Sequence, residues 1–159
     1  MFQKAVKYGF FSIFILSLVF LCLGAGVAGA SQANELEAVL QNPAVTFEQA
    51  ARFVISSAGI DTNVNTPEAA FKFAVEKGWL PKEASPKDPI KMAELSFLIT
   101  SAFDIEGGFM YMFFPGPRYA FRTMVSRSLI QGVADPSMTV SGQRFLHILG
   151  NTIDYKGGE

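Results

Sequence analysis

The side chains best suited to hold a charged ligand stand close together near residue 120. Arg118 and Arg122 are four residues apart, so on a helix they share one face, and Tyr119 adds a phenol beside them. Two guanidinium groups placed in this way can bind a carboxylate or a phosphate bidentately. The alternative interpretation is that both arginines are solvated and cover apolar surface with their aliphatic stems.

The aromatic segment, residues 109–114 with the sequence Phe-Met-Tyr-Met-Phe-Phe, lies directly before these residues and is bounded by glycines and prolines. Because apolar runs usually belong to the core, the pattern favours a buried extended segment or short helix packed across the structure. If the segment is exposed instead, it predicts a surface that contacts a membrane or a protein. The partner-binding residues would then be Phe109, Tyr111, Phe113 and Phe114.

The residue types offer little for catalysis or for metal binding. His147, the only histidine, lies in the middle of a predicted helix, where it is more often a structural residue, and Cys22 is the only cysteine. We therefore expect neither a Ser-His-Asp triad nor a histidine or cysteine metal site. Residues 61–65 resemble the start of a calcium loop, but Thr66 replaces the turn glycine and Lys72 stands where a bidentate Glu is needed. We therefore expect no enzyme, no metal and no cofactor.

The overall charge makes nucleic acid an unexpected partner. The 159 residues include 13 Lys and Arg against 14 Asp and Glu, a formal net charge of −1, with no basic excess of the kind that binds phosphate backbones. The length is sufficient for one domain.

The first thirty residues have the organisation of a secretory signal peptide. Lys4 and Lys7 precede an uncharged apolar run over residues 9–23, and small residues follow up to Ala30. We expect cleavage before Ser31, which leaves residues 31–159 as the mature domain. Two alternatives are an uncleaved anchor formed by residues 9–30 and a lipoprotein acylated at Cys22.

An internal repeat organises the remainder of the chain. A shift of 50 residues superposes two long segments without a gap, and apolar residues match at the three- and four-residue spacings of helix faces. Each unit is therefore interpreted as helix, loop, helix. The predicted helices are residues 66–77 and 92–103 in one unit, and 118–129 and 142–153 in the next.

A weaker first unit precedes these two. Residues 45–57 align with residues 90–102 and 140–152, and residues 34–40 supply a short partner helix. The fold prediction is all-α, with three helix-loop-helix repeats at about 34–60, 66–105 and 118–155. Since one amphipathic pair cannot bury its apolar face alone, we expect the three to pack around a common centre.

The repeat resembles the S-layer homology module. The resemblance rests on a branched residue followed by a degenerate Thr-Arg-Ala-Glu-like tetrapeptide at the start of each long helix, here at residues 45–50, 90–95 and 140–145. It implies a pseudo-threefold bundle that binds cell-wall polysaccharide in grooves between units. The arginine of the tetrapeptide is replaced by Phe47, Met92 and Gly142, so the resemblance implies the fold and leaves the usual wall-polymer chemistry an open question.

Two further residues are candidates if the grooves bind a ligand. Trp79, which ends the first helix of the second unit, could stack on a sugar ring, although a lone Trp is more often a core residue. Lys91 occupies the first position of the tetrapeptide and offers a cation near the same loop. Together with Arg118, Tyr119 and Arg122, they complete the predicted ligand-binding set.

These observations predict an exported, non-catalytic protein of the periplasm or cell wall. The first hypothesis is recognition of peptidoglycan or an associated polymer through grooves between repeats. The alternative is an adaptor or structural component of an envelope assembly that uses the aromatic segment to bind another protein. Membrane contact is expected only through residues 9–30, if they are not cleaved.

Overall fold

The computed structural model describes residues 26–60, 64 and 66–158, with side chains from residue 33 onward. These residues form seven helices. Their bounds are α1 Gly26–Leu40, α2 Phe47–Ser57, α3 Pro67–Glu76, α4 Met92–Ala102, α5 Phe109–Phe113, α6 Pro117–Ser126 and α7 Gly142–Gly157. The described residues contain no strand beyond two isolated bridges, so the all-α prediction is confirmed for this part of the chain.

The chain divides into two compact units, one up to Ala38 and one from Val39 onward. Residues 1–25, which carry most of the predicted signal peptide and Cys22, lie outside the described residues. The predicted cleavage position before Ser31 falls within α1. None of the described helices combines the length and the apolar character that spanning a membrane requires.

Four predicted helices are present with small changes at their ends. The helix predicted over residues 66–77 is α3, which begins after Thr66; the side chain of Thr66 accepts a hydrogen bond from the N–H of Ala69 at 3.2 Å. The helix predicted over 118–129 is α6, which ends at Ser126 because Ser128 adopts a left-handed conformation with φ of 59°. The last helix, α7, continues to Gly157 rather than 153.

The ends of α3 and α6 are built alike, 50 residues apart. Gly78 has φ of 74° where the next unit has Ser128. In each case the following N–H bonds back to a carbonyl five residues earlier, from Trp79 to Ala74 at 2.8 Å and from Leu129 to Met124 at 2.9 Å. The same turn therefore closes both short helices.

Three short extended segments precede the long helices α2, α4 and α7. Each contains a fully buried branched residue, namely Val45, Ile90 and Val140. The N–H of Val45 donates to the carbonyl of Val140 at 2.8 Å, and the N–H of Ile90 donates to the carbonyl of Val45 at 2.9 Å. These bonds join the three segments at the core of the compact unit that begins at Val39.

A further set of backbone hydrogen bonds runs around these segments in a cycle. The first residue of each long helix donates its N–H to the loop of another segment. The bonds are Phe47 to Asp88 at 3.1 Å, Met92 to Met138 at 2.9 Å and Gly142 to Asn42 at 2.9 Å. Because each segment is both a donor and an acceptor, the cycle closes.

Gly142 is required where this cycle meets the end of α1. A Cβ at this position would overlap the carbonyl oxygen of Val39 and lie 2.6 Å from its carbonyl carbon, whereas ordinary contacts begin at 3.4 Å. The backbones of Val39 and Gly142 can therefore approach this closely only without a side chain at Gly142.

Candidate functional site: a cationic groove

Helix α6 presents two arginines to solvent. Pro117 occupies its first turn, where backbone N–H groups have no intrahelical acceptor, so a residue without an N–H costs no hydrogen bond there. Ala120 and Met124 are fully buried, which directs this face of α6 into the core. Arg118 and Arg122, one helical turn apart, are exposed.

Lys91 lies at the start of α4 and faces the same region. Its backbone is extended, with φ of −89° and ψ of 158°, and its N–H donates to Glu94 at 2.9 Å. The N–H of Ala93 donates to the carbonyl of Pro136 at 3.0 Å. This bond holds the loop before α7 against the first turn of α4.

Asp135 shapes that loop. Its carboxylate accepts a hydrogen bond from the N–H of Ser137 at 2.7 Å and a second one from the Ser137 hydroxyl. The bonds from the hydroxyl and then from the N–H of Ser137 lower the pKa of Asp135 below its ordinary value. The carboxylate is thus held ionised in a local turn and does not line the adjacent groove.

These elements enclose a groove of about 570 Å³, within the usual size range of small-ligand sites. We call it the cationic groove. It is lined by Lys91, Ala93, Arg118, Phe121, Arg122, Pro136 and Ser137. Three of these residues are cationic and none is acidic, so the lining favours an anionic ligand.

The two groove arginines differ from the other three arginines of the chain. The others donate hydrogen bonds to backbone carbonyls: Arg52 to Val64, Arg127 to Glu106, and Arg144 to Gln131 and Val133. The guanidinium groups of Arg118 and Arg122 have no hydrogen bond or ion pair with any described residue. Their donors are therefore available to a ligand.

The predicted ligand-binding residues are brought together only in part. Lys91, Arg118 and Arg122 line the cationic groove. Tyr119 is half-buried and lies with Arg122 in a neighbouring depression of about 310 Å³. Trp79 lines neither; it is half-buried and packs edge-on against Phe73, with ring centroids 5.7 Å apart.

The positions that correspond to the tetrapeptide arginine of the S-layer homology module face the interior. Phe47, Met92 and Gly142 are all buried. A cation at any of these positions would be taken out of water. The three cations of the groove instead stand on α6 and one residue before α4.

The aromatic segment is exposed, so the interpretation of it as buried is wrong. Helix α5 accounts for its first five residues, and Phe109 and Phe113 are 71% and 58% exposed. Tyr111 alone is anchored: its ring packs against Phe97 at 6.5 Å, and its hydroxyl lies 3.1 Å from Oγ1 of Thr100. One side chain therefore docks the segment while the others face solvent.

Sequence reasoning missed Phe121, Ala93, Pro136 and Ser137 as groove residues. The repeat register contained a signal for the groove itself. The positions equivalent to Ala93 and Arg118 in the preceding units are Glu48 and Glu68, so two acids are replaced by a neutral residue and a cation. The N–H of Glu48 donates to the carbonyl of Pro86 at 3.0 Å, and the N–H of Ala93 donates to the carbonyl of Pro136 at 3.0 Å. These matching bonds support the equivalence of Glu48 and Ala93.

Within the part of the chain that the structure describes, no three His, Cys, Asp or Glu side chains are grouped to hold a metal ion. His147 is exposed on α7.

Comparisons with protein-family models, with curated proteins and with solved structures find no match to this chain. The functional argument therefore rests on the geometry of the groove.

Proposed function

We propose that this chain is an exported, non-catalytic envelope protein that binds an anionic cell-wall polymer, peptidoglycan or a polymer attached to it, in the cationic groove. The observation that carries the proposal is the pair of arginines, Arg118 and Arg122, which are free of structural bonds and converge with Lys91 on one groove. An anion that bridges them would form charge-assisted hydrogen bonds.

The three-repeat architecture supports this proposal. The closed cycle of backbone hydrogen bonds and the matching helix ends are what three helix-loop-helix units around a pseudo-threefold axis would produce. In such an arrangement the cationic groove lies between the second and third units, since Lys91 belongs to one and Arg118 to the other. Its place agrees with the groove that the resemblance to the S-layer homology module implies.

The lining fits a charged glycan in particular. Phe121, which lies between Arg118 and Arg122 in the sequence, is half-buried and lines the groove. Its ring offers an apolar surface against which a sugar ring can lie. The exposed guanidinium groups flank it with donors for carboxylate or phosphate groups. A polymer that carries one such group per few sugars would place its anion and its ring in the same groove.

Sedimentation with isolated cell-wall sacculi tests the proposal. The protein, purified in the form in which its producing cells process it, is expected to sediment saturably. Arg118→Ala and Arg122→Ala are each expected to weaken binding about tenfold or more, since a hydrogen bond to a charged group contributes about 1.5–3 kcal/mol. The matched control is Lys72→Ala, which removes an exposed cation at the position equivalent to Arg122 on α3.

The result that contradicts the proposal is equal sedimentation of the folded wild type and the double arginine variant, or no sedimentation of either. Rising salt is expected to weaken binding of the wild type more than that of the double variant. A salt-independent interaction would likewise exclude the cationic groove as its site.

The adaptor hypothesis is the second candidate, and the exposure of the aromatic segment favours it. Phe109, Phe113 and Phe114 present large apolar surfaces of the kind found at interaction sites. Crosslinking from a photoreactive group at Phe114 to one defined envelope protein would support this function. Loss of that crosslink in a Phe109→Ser variant would assign it to the aromatic segment.

A further inference from the structure

Five of the six side chains of the aromatic segment face solvent. They are Phe109, Met110, Met112, Phe113 and Phe114, with exposed fractions from 47% to 71%. Phe109 and Phe113 also contact each other, with ring centroids 4.8 Å apart. Exposed apolar surfaces of this kind mark interaction sites.

The segment offers an occupant almost nothing to hydrogen-bond. Residues 107–117 contain no charged side chain, and their one hydroxyl, on Tyr111, is directed to Thr100. Much of the backbone is also satisfied: the N–H groups of Tyr111 and Met112 donate to Gly108, and that of Phe114 donates to Met110. Protein interfaces carry a hydrogen bond per roughly 100–200 Å², whereas lipid hydrocarbon needs none.

Cations stand directly beside this apolar surface. Arg122 lines the depression that also includes Phe109, Met110 and Tyr111, and Arg118 follows the segment on the same helix as Arg122. The acids on the other side, Asp104 and Glu106, lie around a separate depression with Arg127 and Lys156. Unpaired positive charge therefore adjoins the aromatic surface, while the nearby acids have cationic neighbours.

From these observations we propose that the aromatic segment inserts into the surface of a lipid bilayer with anionic headgroups. The rings of Phe109 and Phe113 enter the boundary between headgroups and acyl chains, and Arg118 and Arg122 contact the headgroup phosphates. Tyr111 holds α5 on α4, so the aromatic segment is already ordered before it meets the membrane. The entropic cost of ordering it on binding is thereby reduced. This contact is separate from any made by residues 9–30 and does not rest on the polymer-binding proposal.

A tryptophan placed in the segment reports insertion even if another part of the chain also binds lipid. The variant is Phe113→Trp in a Trp79→Phe background, in the form in which the cell processes the protein. The probe vesicles are phosphatidylcholine with or without phosphatidylglycerol, and brominated acyl chains act as quencher. We expect the emission to move to shorter wavelength and to be quenched on anionic vesicles. Unchanged emission and no quenching on those vesicles would overturn the proposal.

Substitutions then measure the two contributions separately. Phe109→Ser with Phe113→Ser is expected to lower partitioning into anionic vesicles about tenfold or more. Arg118→Ala is expected to lower it about fivefold, with no effect on neutral vesicles. The matched control is Val133→Ser, which removes a side chain that is 90% exposed in another loop. All these positions are exposed, so circular dichroism is expected to show unchanged folding.

Two further outcomes would contradict insertion. In the first, the emission of Phe113→Trp shifts with protein concentration in the absence of lipid, which indicates self-association. In the second, the Phe109→Ser and Phe113→Ser variant partitions into anionic vesicles as the wild type does. Either result would overturn insertion of the aromatic segment.

Discussion

The close approach of two backbones at Gly142 gives the most direct test of the core geometry. Gly142→Ala adds a single Cβ that would lie 2.6 Å from the carbonyl carbon of Val39 and closer still to its oxygen. To reach an ordinary contact, the end of α1 and the start of α7 must separate by more than about 1 Å. Both obstructing atoms belong to the backbone, so no side-chain rotation relieves the overlap.

The cost follows from what the separation disturbs. Overpacking at a buried position costs about 1–3 kcal/mol. The bond from the N–H of Gly142 to Asn42 at 2.9 Å and that from Val45 to Val140 at 2.8 Å both lie beside the overlap. Each contributes about 0.5–1.5 kcal/mol. We therefore expect Gly142→Ala to lower the free energy of unfolding by about 2–6 kcal/mol, a large share of the stability of a domain of this size.

Thermal unfolding followed by circular dichroism measures this loss. At about 4 °C per kcal/mol, the midpoint is expected to fall by about 8–24 °C. Gly150→Ala is the matched control, because it makes the same substitution within the same helix with nothing within 4 Å of the new Cβ. It is expected to raise stability by about 0.5–1 kcal/mol. If the two variants unfold at the same temperature, the close approach of Val39 to Gly142 is wrong.

Two further predictions concern local turns. Gly78→Ala is expected to lower the free energy of unfolding by about 1 kcal/mol, because φ of 74° is strained for a residue with a Cβ. Ser128→Gly is expected to be neutral or stabilising, because it relieves the same strain in the equivalent turn. Urea unfolding measures both, and the opposite order would contradict the shared turn. The lowered pKa of Asp135 means that the turn's contribution to stability is present above the unfolded pKa of about 3.9 and is lost as pH falls through the lower folded value. Ser137→Ala removes the hydroxyl bond but keeps that of the N–H, so it is expected to raise the pKa of Asp135 part of the way to its ordinary range in an NMR titration of the carboxyl carbon. An unchanged pKa would exclude the Ser137 hydroxyl as its main cause.

The repeat and most helix bounds could be predicted because their signals are local. Thr66 and Pro67 start α3, and Gly78 closes it, through bonds between residues at most six apart in sequence. The same short-range pattern returns 50 residues later, although Ser128 stands where the first turn has glycine. The pairing of Arg118 with Arg122 was equally readable, since a helix places residues four apart on one face.

Local signals of this kind could not predict whether Trp79 lines a groove. Its side chain packs on Phe73 in the same unit, a contact that its place at a helix end does not distinguish from exposure. The apolar run at 109–114 was misleading for a related reason. Large apolar residues are usually buried, but burial needs neighbours, and among its six side chains only Tyr111 is half-buried, against Phe97.

The sequence by itself determined the all-α class of the described residues and the 50-residue spacing between the matching ends of α3 and α6. These follow from residue types and from spacings within a few turns of helix. The tertiary structure alone decided which cations are free and which apolar residues face solvent. Arg118 and Arg144 look alike in sequence, yet one lies open in a groove and the other holds a loop by bonding Val133. The reason is that solvation and hydrogen bonding depend on atoms brought together from distant parts of the chain, which a local pattern does not specify.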